Sequence, residues 1–123
     1  MKIDIEKTKQ FYNSLGYDEL CNCDYCKNYY EKIKETYPEI ATCLSKFGID
    51  IAKPYEISSL EPENGNLIYS VCQYIVFGNC EDDFCEKVGD IKFKKSENYP
   101  NINIEDEHFV LDIFGIKLTY RSK

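Results

Sequence analysis

A chain of 123 residues, 43% of them hydrophobic, is sized for one domain with a core of its own. Its 22 acidic and 15 basic residues leave a formal charge of −7, which gives phosphate backbones no electrostatic foothold and argues against nucleic-acid binding. The longest apolar run, Val71–Phe77, is interrupted by Gln73 and falls far short of the roughly 20 residues a bilayer-spanning helix requires.

The first predicted helix starts at Asp4, a good N-cap, with Ile5, Thr8, Phe11, Tyr12 and Leu15 on one face. Gly16 stands where a left-handed C-terminal residue is wanted. A second helix is expected from about Asp24, with a stripe of Cys26, Tyr29, Tyr30, Ile33 and Tyr37. Pro38 ends it and suits the first turn of a third helix, which carries Ile40, Cys43, Leu44 and Phe47. Gly48 stops that helix and Ile49 covers its end.

From Pro54 the hydrophobic period changes to alternation. Tyr55–Leu60 reads as a short strand and Asn64-Gly65 as the heart of a tight turn. Leu67–Phe77 is the expected central strand, with Leu67, Tyr69, Val71, Gln73, Ile75 and Phe77 on one face. Gly78–Gly89 reads as an acidic connection, and Asp90–Lys94 as a strand with Ile91 and Phe93 inward. After Pro100, a short edge at Asn101–Ile104 and strands at Glu107–Phe114 and Ile116–Arg121 complete the sheet. Gly115 between the last two suits a bend or bulge inside one long strand. Helices first and strands after predict a single α+β domain over residues 1–123, with about three helices on an antiparallel sheet of about five strands.

One segment stands apart chemically. Cys21-Asn22-Cys23-Asp24-Tyr25-Cys26 places three thiols in six residues at the start of a helix. Zinc favours four ligands in tetrahedral array, commonly thiolates with or without imidazole. Cys21, Cys23 and Cys26 supply three, and Cys80, Cys85 or the single histidine, His108, are candidates for the fourth. A different chemistry uses Cys23-Asp24-Tyr25-Cys26 as a redox C-x-x-C, since a helix N-terminus lowers a thiol's pKa. Asp24 opposes that reading, as does the lack of a βαβ setting. The third reading is packing, because free cysteine behaves as a small apolar residue. Cys26, Cys43 and Cys72 lie on core stripes and fit it best.

No other motif points to catalysis. Glu81-Asp82-Asp83 with Glu86 lacks the alternating oxygens and central glycine of a calcium loop. No phosphate-cradling glycine loop or nucleophile elbow occurs. The expectation is therefore a non-enzymatic interaction module, its acidic surface suited to a basic protein partner. Seven cysteines, an odd number, together with the polar Met1–Glu6, predict a reducing cytoplasm rather than export.

Cys21-x-Cys23-x-x-Cys26-x-Asn28, with Leu44-Ser45-Lys46-Phe47-Gly48-Ile49-Asp50 and Lys53-Pro54-x-Glu56, resembles a group of uncharacterised bacterial domains. In that group a cysteine turn leads into helices, and a Gly-Ile-Asp segment precedes an acidic strand. Tyr74–Gly78 and Phe109–Tyr120 follow the same pattern loosely, so the resemblance spans about residues 10–120. It implies a bacterial origin and no particular activity. Where the group carries tryptophan this chain has Tyr, Val or Ile, as in Gln73–Phe77.

Overall fold

The computed structural model describes residues 2–97 and 104–120. Its elements are β1 (Lys2–Ile3), α1 (Ile5–Ser14), α2 (Asp24–Thr36), α3 (Pro38–Ser45), β2 (Glu56–Ser59), β3 (Asn66–Asn79), β4 (Cys85–Val88), β5 (Ile91–Lys95), β6 (His108–Phe114) and β7 (Ile116–Thr119). The arrangement is α+β: apart from the two-residue β1, three helices precede the strands of an antiparallel sheet. Across the sheet the order is β1-β3-β6-β5-β4, with β2 and β7 also on β3.

Local chemistry explains the helix boundaries. The Asp4 carboxylate accepts the Lys7 N–H at 3.0 Å and begins α1. That helix ends at Ser14, one residue short of expectation, and Ile5 turns out to be exposed. Gly16 is not left-handed; its φ of −90° opens a single 3-10 turn at Tyr17–Glu19. Pro38 takes the first turn of α3, and Ile49 N–H returns to Leu44 O past Gly48. Tyr29 and Ile33 of α2 and Leu44 of α3 are fully buried, each contributing about 1.5–3 kcal/mol by leaving water.

Strand β3 is the spine. Asn64 and Gly65 both adopt positive φ, the conformation a two-residue hairpin turn requires. β3 departs from simple alternation. Leu67 and Tyr69 are buried against the helices, and further along so are Cys72, Tyr74 and Val76. The buried set has therefore changed parity. A bulge supplies the change: Ser58 faces Val71 but Ser59 faces Tyr69, leaving Ser70 as the extra residue. On the other side of β3 the register is unbroken from Cys72↔Ile113 to Tyr69↔Ile116. β6 and β7 therefore continue one another, and Gly115, at φ +102°, turns the line over in step with β3. A Cβ at Gly115 would lie 2.7 Å from Asp90 O.

The acidic connection of residues 78–89 contains more structure than its charge suggests. β4 lies within it and forms a hairpin with β5, with Cys85 opposite Lys94. The expected edge strand at 101–104 lies mostly outside the described residues, as does Arg121.

Among the described residues no strand meets the edge of β3 between β1 and β2, and α1 closes it. Tyr12 Oη donates to Ile75 O at 2.8 Å, Phe77 N–H donates to Thr8 Oγ1 at 3.0 Å, and Asp4 N–H donates to Phe77 O at 2.9 Å. Side-chain hydroxyls thus stand in for a missing strand. Thr8→Val keeps the shape but leaves the buried Phe77 N–H unpaired. Urea denaturation is expected to show a loss of about 1–3 kcal/mol. The exposed control Thr42→Val is expected to stay within about 0.5 kcal/mol.

Candidate metal centre

The turn between α1 and α2 presents its sulfurs as a cluster. The Sγ atoms of Cys21, Cys23 and Cys26 all lie within 4.8 Å of one another. A tetrahedral zinc with Zn–S bonds of about 2.3 Å separates its sulfurs by about 3.8 Å, so closing the cluster on an ion takes shifts of no more than about 1 Å. Cys21 and Cys23 are exposed and Cys26 is buried at 7% accessibility.

Hydrogen bonds made by four side chains, those of Cys23, Tyr30, Asn28 and Tyr69, set this geometry. Cys23 is the N-cap of α2, its Sγ accepting the Cys26 N–H at 3.4 Å. Tyr30, one turn beyond Cys26, donates from Oη to Cys21 O at 2.7 Å and fixes the entering chain. Asn28 anchors the other side: its Nδ2 donates to Thr119 O at 3.0 Å and to Tyr69 Oη at 3.4 Å. Tyr69 Oη in turn donates to Tyr25 O at 2.6 Å. The asparagine of the C-x-C-x-x-C-x-N pattern is therefore a structural pin between α2 and the sheet.

The thiols differ in acidity. Cys21 is lowered from its ordinary value, first by the Cys23 backbone N–H and then by the thiols of Cys23 and Cys26. Cys26 is raised, chiefly by burial and then by its two sulfur neighbours. The low-pKa thiol of this turn is thus Cys21, which the C-x-x-C reading did not use.

The other proposed ligands lie elsewhere. Among the described residues no further Cys, His, Asp or Glu joins the trio. Cys80 is buried beyond the end of β3, where Lys95 Nζ donates to its carbonyl. Cys85 is exposed on β4, at the opposite edge of the sheet from β2. His108 begins β6, with Nδ1 2.8 Å from Asp106 O. Cys72 is fully buried beside Tyr29 and Tyr74, which hydrogen-bond each other.

A groove of about 400 Å3 opens beside Cys21 and Cys26, walled by Tyr30, Pro54, Tyr55 and Glu56. Two of the sequence segments that carried the resemblance, the cysteine turn and Lys53-Pro54-x-Glu56, meet here. Lys53 is held back from the groove by donating to Tyr12 O and Leu15 O at the end of α1. Another cleft, of about 550 Å3, runs from β1 to Glu107 and is lined by no thiol or imidazole. No helix among the described residues is long and apolar enough to cross a membrane. No known family, curated protein or solved structure matches the chain.

The acidity order has a measurable consequence. In metal-free, reduced protein, Cys21 is expected to alkylate with a pH midpoint below the ordinary thiol value of 9.0, and Cys26 to react slowly even above it. A depressed folded-state pKa adds stability above the unfolded thiol's pKa, and this is lost as pH falls through the folded value. Peptide mapping after timed labelling reads each cysteine separately.

Proposed function

We propose that this domain is a non-enzymatic binding module whose sulfur turn holds a thiophilic metal, with Zn2+ as the resident ion. The observation that carries the reading is the convergence of three sulfurs from one short turn. The donor set fits the ion: soft thiolates select zinc over the hard cations that carboxylates favour. The positive end of α2 adds support for the anionic sulfurs, Cys23 being its N-cap. Cys26 is poorly suited to free ionisation, but a bound cation takes the place of its proton and offsets the buried charge.

The remaining parts of the reading follow from charge and thiol state. A net charge of −7 favours a basic protein partner, since complementary fields speed encounter and disfavour wrong partners. Free cysteines, as all seven are here, favour a reducing compartment such as the bacterial cytoplasm. A second reading, thiol chemistry, draws on the lowered pKa of Cys21 and makes that residue the reactive group in place of the Cys23–Cys26 pair.

Cys23→Ser separates the metal reading from simple packing, because the two give opposite signs. Serine is a better N-cap than cysteine, so without a metal the variant is expected to match or exceed the wild type by a few tenths of a kcal/mol. With Zn2+ at about a thousandfold over Kd, the wild type is expected to gain about 4 kcal/mol, and the variant to lose that increment. Binding displaces thiol protons, so the zinc-dependent increment is expected to shrink as pH falls. Thermal melts with and without chelator, alongside metal analysis of the purified protein, check all three. A wild-type melt indifferent to both zinc and chelator, with no metal recovered, rules the reading out.

A further inference from the structure

Structural zinc sites are closed by four protein ligands, whereas sites that handle an external ligand keep one position open. The sulfur turn has the second pattern. Three donors come from one turn, two of them are exposed, and none of the other candidate donors among the described residues joins them. The groove begins at Cys21 and Cys26 and continues along the start of β2.

That strand is itself half-used. Among the described residues β2 pairs only with β3, so its outer edge is a template for one more strand. The groove wall is aromatic and aliphatic at Tyr30, Pro54, Tyr55 and Ile57, with one carboxylate at Glu56.

Charge decides which donor fits. Three thiolates around Zn2+ already carry a net charge of −1, in a protein of −7 with Asp24 in the same turn and Glu56 in the groove. A fourth thiolate or a carboxylate would add another negative charge. A neutral imidazole would not, and it is a good zinc ligand. Flanking basic residues would meet Glu56 favourably.

Building on the metal reading above, we propose that the ion's fourth position opens into the groove beside β2 and is filled by a histidine imidazole from an extended, basic peptide segment. The peptide adds to the β2 edge through main-chain hydrogen bonds, and the metal reads its histidine.

Cobalt-substituted protein tests this, because tetrahedral Co2+ reports its ligand set in the visible spectrum. The expected starting state is three sulfurs and one oxygen. Free imidazole is expected to shift the d–d band to shorter wavelength and to saturate at one per cobalt. The peptide Lys-Val-His-Val-Lys is expected to produce the same shift at a roughly tenfold lower concentration, since its strand contacts are tethered to the ligand. Lys-Val-Ala-Val-Lys is expected to leave the band unmoved. Glu56→Gln is expected to leave the starting spectrum unchanged and to weaken the peptide more than free imidazole.

Four results would overturn the proposal. A four-sulfur starting spectrum shows the site closed, and a starting spectrum altered by Glu56→Gln shows Glu56 already in the fourth position. No shift with imidazole removes the open position. Equal half-saturation by imidazole and peptide removes the peptide as occupant. Failure to bind Co2+ or Zn2+ at all is distinct from these, and removes the metal reading together with the inference.

Discussion

The paired change of phase at Ser70 and Gly115 is the constraint on which the rest of the molecule hangs. A strand that gains one residue turns every later side chain to the opposite face. If only β3 did so, its apolar residues would leave the helices while those of its neighbour stayed. The strand formed by β6 and β7 turns over at the matching place, so Tyr69 and Ile116 stay inward together with Cys72 and Ile113. Tyr69 then points at the first turn of α2, where it holds Tyr25 O and receives Asn28. Through those bonds a backbone irregularity in the sheet determines where three sulfurs sit.

The helical half was legible because each boundary is set by nearby residues. Asp4 as a cap, Pro38 in a first turn and Gly48 as a stop need only local chemistry, and all three behave as their residue types require. Gly16 shows the limit of that logic: the chain left the helix at Leu15, so the glycine's freedom was never used. The parity of β3 was not legible. Alternation read from Leu67 onward assigns Ile75 and Phe77 to the face of Leu67, and nothing local to Ser70 or Val71 announces the extra residue. Gly115 was the available signal, and its meaning for β3 depends on a pairing forty-odd residues away in sequence.

The sulfur turn was legible as a cluster and not as a site. Spacing alone put Cys21, Cys23 and Cys26 together. Sequence could not rank their acidity, because the hydrogen bonds that favour the Cys21 thiolate and the burial that opposes ionisation of Cys26 are consequences of tertiary placement. Nor could it show that Tyr30 holds the turn from one helical turn away, or that Pro54–Glu56 form the facing wall. β4 escaped notice for another reason: its Cys-Glu-Lys-Val sequence is polar on an exposed edge, where no hydrophobic alternation is needed.

The helix laid against the open edge of β3 protects more than two hydrogen bonds. Tyr74-Ile75-Val76-Phe77 is the most apolar and β-prone stretch in the chain, with no charge and no proline. Such a segment with a bare edge is a template for pairing with copies of itself. Thr8 and Tyr12 occupy the positions an invading strand would need. Protection of this segment from self-pairing is thereby tied to the docking of a ten-residue helix. Loosening α1 would convert a local opening into an aggregation-competent surface before the rest of the sheet unfolds.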